Sequence, residues 1–189
     1  MSLIEIDHAL FRLINGMHST WADQTMWLIS TRWFFIPLYA ILAWFIYRRF
    51  PQQILPIFIT VALMILVSDQ LSVAVKFMVA RLRPCHDALL ADAVHLVNNK
   101  CGGLFGYYSS HASNTAALAC FLSMIFRTKT MGMLLAGWTF LVGYSRIYLG
   151  NHFPADVLSG WLIGAVIGWL AYNLLQKYLQ RQAHVQNNL

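Results

Sequence analysis

Along this chain apolar residues gather into long runs bounded by charges or turn residues. A bilayer hydrocarbon core of about 30 Å asks for about 20 apolar residues per helix. Five runs suit a crossing, at approximately 24–48, 52–80, 111–127, 130–149 and 154–178, the first interrupted near Ser30-Thr31-Arg32 so that a shallow piece precedes the crossing. The segment 1–23 is too polar to cross. From Leu3 to Ile14 it places Leu3, Ile6, Leu10 and Leu13 on one helical face, with Glu5, Asp7 and Arg12 elsewhere. That pattern suits an amphipathic helix lying in the membrane interface, a helix packed on the bundle being the alternative. The expected fold is all-α: a polytopic transmembrane helical bundle of about five spans plus the N-terminal interfacial helix, forming a single domain over residues 1–189.

Composition supports a lipid environment. The 189 residues are 59% hydrophobic and only 11% charged, too few charges to cover a soluble surface of this size. The formal charge of +6 does not point to nucleic acid, because the basic residues are scattered between apolar runs and form neither a basic helix nor an aromatic RNA-binding signature. No removable signal is expected, since Glu5 and Asp7 stand where a signal peptide would be basic.

Charge also predicts orientation. Arg48 and Arg49, Arg127 and Lys129, and Lys177 and Arg181 fall at one set of helix ends, which the positive-inside rule assigns to the cytoplasm. The N-terminal segment, the loop 81–110 and the turn 150–153 then lie on the opposite face, exterior or periplasmic in a multi-pass protein of the bacterial inner membrane. Cys85 and Cys101 share that outer loop, where they either pair in an oxidising environment or remain free thiols, while Cys120 lies in a span.

Ionisable residues at membrane depth are costly, so each is a candidate functional group. Lys76, Arg81 and Arg83 close the second run; Ser109, Ser110 and His111 open the third; Ser145 and Arg146 end the fourth; His152 and Asp156 open the fifth. Alternation of the spans brings all of them to the outer face. Cations, hydroxyls and a helix N-terminus together suit a multiply charged anion, and phosphate fits best. Arg83 and Arg146 offer planar, bidentate donors, and Lys76 a mobile point charge. His152 and Asp156 are spaced i, i+4, so the carboxylate can fix the imidazole tautomer and leave the other nitrogen free to attack phosphorus, with His111 placed to protonate the leaving oxygen. Asp69, two turns before Lys76 on roughly the same face, is expected to hold that lysine or to line the pocket floor.

The residues Lys76-x6-Arg83-Pro84, Ser109-Ser110-His111 and Ser145-Arg146-x5-His152-x3-Asp156 resemble the three-part signature of the phosphatidic-acid-phosphatase type 2 family. That resemblance implies a family-like helical core and a phosphoryl transfer in two steps: His152 forms a phosphohistidine, Asp156 supports it and His111 acts as general acid. It further implies that Lys76, Arg83, Ser109 and Arg146 hold phosphate oxygens, with backbone N–H groups around Ser110 and His111 completing the cradle, and that no metal or other cofactor takes part. The sequence likewise lacks an acidic metal cluster. Two departures stand out: Tyr108 and Ser110 replace the Pro and Gly of the second motif, and the chain has one span fewer than the six usual in membrane members. The added side chain and narrower backbone freedom at Ser110 make its role less secure than that of Ser109.

The expected activity is hydrolysis of a lipid phosphate or diphosphate monoester, with undecaprenyl diphosphate, lipid A phosphate, phosphatidylglycerophosphate and phosphatidic acid as candidate substrates. Two other readings stand beside it, a lipid phosphotransferase using the same site and a non-catalytic protein that binds or transports a lipid head group. Expected partners are the substrate and membrane lipids, with the chain a monomer or homodimer. Gly160, Gly164 and Gly168 form a small-xxx-small stripe that either closes the bundle or forms a dimer. Arg81 is read as a residue at the water boundary, and His86, Asp87, Asp92 and His95 as solvated loop residues.

Overall fold

In the computed structural model, which describes residues 2–90 and 93–187, seven α-helices follow one another: α1 (Leu3–Gly16), α2 (Thr20–Ser30), α3 (Ile36–Arg49), α4 (Ile54–Val79), α5 (Ser110–Phe126), α6 (Lys129–Tyr148) and α7 (Pro154–Asn187). Asp92 lies outside the described residues. The ends are set locally. Ser2 and Glu5 form a capping box on α1, and the hydroxyls of Ser19, Ser109 and Thr128 cap α2, α5 and α6. Ala80 and Arg127 take left-handed conformations that stop α4 and α5.

By length and hydropathy two helical stretches are able to cross a membrane, Pro51–Val79 and Pro154–Val185. A third is added when α2 and α3, bent by 72° at the break around residue 31, count as one broken span. α5 and α6 coincide with the other two expected spans. α5 has only 17 residues, and its buried Ala112, Ser113, Thr115, Ala116, Ala117 and Ala119 give it a modest apolarity, because it is enclosed by α4, α6 and α7 and meets protein more than lipid. Large apolar side chains such as Leu55, Leu63, Met133, Phe140 and Leu162 point outward from the surrounding helices. That is an integral membrane protein's distribution.

The glycine stripe of α7 closes the bundle from within. A methyl group on Gly160 would stand 2.7 Å from the carbonyl oxygen of Ser109, on Gly164 2.1 Å from that of Ser113, and on Gly168 2.3 Å from that of Ala117. Both stripes recur every four residues, so the two backbones run in close contact over more than two turns. This contact decides where the start of α5 lies relative to the start of α7.

α1 packs on α6 and α7 with its polar side inward: Asp7, Phe11 and Asn15 are buried, whereas Leu3, Ile4, Leu10 and Leu13 are exposed. The apolar face read from the sequence is therefore the outward one. Asn15 donates to the carbonyls of His95 and Tyr148, tying α1 to the outer loop and to the end of α6.

Candidate active site

The polar groups converge at the end of the bundle where α4 and α6 finish and α5 and α7 begin. Arg83 is placed by its backbone: Arg83 N–H donates to the Leu104 carbonyl and Gly106 N–H to that of Arg81, a short pairing that holds residues 81–83 against 104–106. Its side chain is buried at 9% exposure, and Nε donates to the Gly103 carbonyl at 2.6 Å while Nη1 donates to that of Asn151 at 2.9 Å. The same Nη1 lies 3.0 Å from His152 Nε2. A guanidinium cannot accept a hydrogen bond, so this contact calls for a lone pair on Nε2 and puts the imidazole proton on Nδ1.

Nδ1 faces Asp156, whose Oδ2 is 3.4 Å away, a contact long and poorly aligned for a hydrogen bond. Oδ2 also accepts from the N–H of Phe153 at 3.0 Å, which anchors the carboxylate to the first turn of α7. Burial, and then the charges of Arg83, Arg146 and Lys76, hold the His152 imidazole well below the usual histidine range. It is a neutral base whose unprotonated nitrogen meets the Arg83 guanidinium, the protonation state in which an imidazole is nucleophilic.

Around it lies a cavity of about 680 Å³ lined at its polar end by Asp69, Arg83, Ser110, His111, Arg146 and His152. Arg146 donates to the Ser30 hydroxyl at the α2–α3 break, while among the described residues no acceptor reaches its buried Nε. Lys76 does not line the cavity. Its Nζ donates to the hydroxyls of Ser72 at 2.6 Å and Ser110 at 2.5 Å, and Ser72 and Ser110 share a further bond of 2.7 Å. Ser109, expected to hold phosphate, is instead fully buried as the N-cap of α5, its hydroxyl accepting from Ala112 N–H. Ser110 is the serine that faces the cavity, the reverse of the weighting drawn from the motif. The first N–H groups of α5 have no carbonyl one turn back, so they favour an anion.

The other wall of the cavity is apolar. Phe35, Tyr39, Ala62, Ile65, Leu66, Trp138 and Val142, from the α2–α3 link, α3, α4 and α6, continue it away from the charged end. From Asp69 back to Ala62 this amounts to about 10 Å of helix. Such a chamber accommodates an amphiphile: head group at the charged end, chains along the helices.

Ser72 is not singled out from the sequence, and Arg81 is given no part in the site there. Ser72 forms an i, i+4 polar row with Ser68 and Lys76 in an otherwise apolar helix, a signal present in the sequence. Arg81 does more than sit at the water boundary: Nη1 donates to Asp156 Oδ1 at 2.8 Å and Nη2 to Asp7 Oδ2 at 2.5 Å. No local pattern links residues 7, 81 and 156. Cys85 and Cys101 form a disulfide, Cα atoms 6.1 Å apart, beside the segments that carry and align Arg83. With His86 they are the grouping among the described residues whose metal-ligating atoms lie within 4.8 Å of one another, but sulfurs joined to each other are not thiolate ligands, and none of the three lines the His152 cavity.

The chain is similar to known proteins over most of its length. The family model described as PAP2 superfamily matches residues 57–180, from α4 into the latter part of α7. The chain is 35% identical over 182 residues to a lipid A 4'-phosphatase of Bacteroides thetaiotaomicron, covering 95% of this chain and 81% of that one. It is 30% identical over 170 residues to an undecaprenyl-diphosphatase of Sulfolobus acidocaldarius, covering 87% and 76%. The crystal structure of Aquifex aeolicus LpxE superposes with a TM-score of 0.68 at 26% identity, covering 87% of this chain and 93% of that one.

Proposed function

The chain belongs to the PAP2 superfamily and is a membrane lipid phosphatase, and from that premise we propose that it removes phosphate from a phosphorylated glycolipid of the lipid A type through a phosphohistidine on His152. The observation that carries this reading is the two-ended cavity, with a neutral imidazole among cations at one end and apolar helix walls at the other. The substrate class follows the similarity to a lipid A 4'-phosphatase over nearly the whole chain. Undecaprenyl diphosphate is the second reading, favoured by the similarity to an undecaprenyl-diphosphatase and by the same apolar wall.

In the proposed mechanism the phosphate monoester enters with its oxygens on Arg83, Arg146, Ser110 and the first N–H groups of α5. Lys76 acts through Ser110, lending positive charge to that hydroxyl. Nε2 of His152 attacks phosphorus in line with the ester oxygen; the P–O bond breaks and His111 gives that oxygen a proton. Asp156 steadies the Nδ1–H as positive charge grows on the ring. Water then attacks the phosphohistidine with His111 as base, releasing phosphate and returning both histidines to their starting states. The cations matter most as charge spreads over the phosphoryl oxygens in the transition state. With the basic residues of the opposite helix ends in the cytoplasm, the site faces the exterior or periplasm of an inner-membrane protein, and the exposed apolar stripe of α1 rests in the interface.

The test is phosphate release from lipid A and from undecaprenyl diphosphate by detergent-purified protein in EDTA, wild type beside His152→Ala. We expect release by the wild type only, with lipid A the better substrate. Binding of both lipids without release would make the chain a head-group binder, and release that depends on an added alcohol would make it a phosphotransferase.

A further inference from the structure

We infer that Arg81 and Asp7 are positioning residues for the His152–Asp156 pair, so that α1, outside the matched family region, completes the catalytic end of the bundle. The inference rests on the reading of His152 as nucleophile.

Asp156 is fully buried, and an ionised carboxylate is stable there only with charge or hydrogen-bond partners. Phe153 N–H serves Oδ2; Oδ1 is served by Arg81. Arg81 is itself held at both ends. Its second nitrogen reaches Asp7, which is 7% exposed, and its guanidinium carbon lies 4.3 Å from the ring centroid of Phe153, the residue next to His152. Asp7 in turn uses Oδ1 to accept from the N–H of Ala155 at 2.8 Å. Two carboxylates from opposite ends of the chain thus clamp one guanidinium, and both are fastened to backbone N–H groups in the segment 153–155 that joins the nucleophile to its partner. Arg83, on the other side of His152, holds backbone carbonyls and Nε2 but makes no bond to Asp156 among the described residues.

The geometry divides the labour. Arg83, Arg146 and the start of α5 face the anion, whereas Arg81 and Asp7 do not line the cavity. Loss of the bridge therefore lets the carboxylate turn away from Nδ1 and weakens attack by Nε2 while leaving the anion's cations in place.

Arg81→Met, Arg81→Lys and Asp7→Asn are compared with the wild type by lipid phosphate turnover and by titration with two inorganic probes. Orthophosphate reports the cations, and orthovanadate, which accepts a bond from a histidine nitrogen, reports the nucleophile. For Arg81→Met we expect kcat to fall at least about 30-fold and vanadate affinity at least about 10-fold, with KM and orthophosphate affinity within about threefold. Arg81→Lys, which keeps one charge, recovers part of the loss. Asp7→Asn, which keeps the shape and the Ala155 bond, shows the same pattern at about 3–10-fold and decides the matter should Arg81→Met fail to fold. Equal losses of phosphate and vanadate binding, or wild-type kcat and vanadate affinity in Asp7→Asn, would overturn the inference. Vanadate binding is read without turnover, so an absence of lipid hydrolysis by the wild type sinks the proposed activity and leaves this test standing.

Discussion

Gly164→Ala is expected to damage catalysis far more than its size suggests. The new methyl group would lie 2.1 Å from the Ser113 carbonyl oxygen and 2.8 Å from that residue's carbonyl carbon and Cα, all of it helix backbone that no rotamer change can move. Relief to an ordinary contact of 3.4 Å requires α5 and α7 to separate by about 1.3 Å, because packed interiors leave no slack. Overpacking of this kind costs about 1–3 kcal/mol, partly offset by up to about 1 kcal/mol from replacing a helical glycine. The catalytic cost is larger. Ser110 and His111 ride on α5 one turn from Ser113, while His152 and Asp156 belong to the start of α7, and a misplacement of about 1 Å between reacting groups costs about 10²-fold in rate. Detergent-purified Gly164→Ala should lose one to two orders of magnitude in kcat with a modest loss of thermal stability. Gly137→Ala on α6, where the methyl group meets nothing within 4 Å, should match the wild type in both. Gly168→Ala, at 2.3 Å from the Ala117 carbonyl, should lose similar stability but less activity, being a turn further from the site. Wild-type kcat in Gly164→Ala, or equal losses in Gly137→Ala, would refute the idea that this contact sets the site.

His152 makes stability fall with acid in a predictable window. Its folded pKa lies well below the unfolded value of about 6.5, so between the two the unfolded chain binds a proton that the folded chain does not, and stability rises with pH by up to about 1.4 kcal/mol per unit. The contribution is intact above pH about 6.5 and lost as pH falls toward the folded pKa; melts of wild type and His152→Asn across pH 5–8 should differ by this slope, and parallel profiles would contradict it. Reduction of Cys85–Cys101 frees a 16-residue separation that the disulfide closes beside Arg83, a constraint worth about 3 kcal/mol of loop ordering. Oxidised wild type treated with reductant should show a several-fold rise in KM for lipid phosphate, Cys85→Ser should be insensitive to reductant, and an unchanged KM in the treated wild type would show that the loop holds Arg83 without the bond.

What could be read from the sequence alone was whatever depends on neighbours along the chain. Apolar runs of membrane length, the break before Pro84 and the helix start at Pro154, the i, i+4 spacing of His152 and Asp156, and the alternation that sends residues 76–83, 109–111, 145–146 and 152–156 to one end all follow from local periodicity and counting. So did the bend near residues 30–32, where a polar triplet interrupts an apolar run. Only the tertiary structure could separate Ser109 from Ser110, because which hydroxyl caps a helix and which faces a cavity turns on about 100° of rotation at the helix start. Tertiary packing likewise set the glycine stripe against α5, turned Asp7 inward where an isolated amphipathic helix would turn its leucines, and brought Arg81 between two carboxylates from opposite ends of the chain. The two Arg81 contacts join residues about 75 positions apart, and a buried charge takes its partner from whatever the packed fold places beside it.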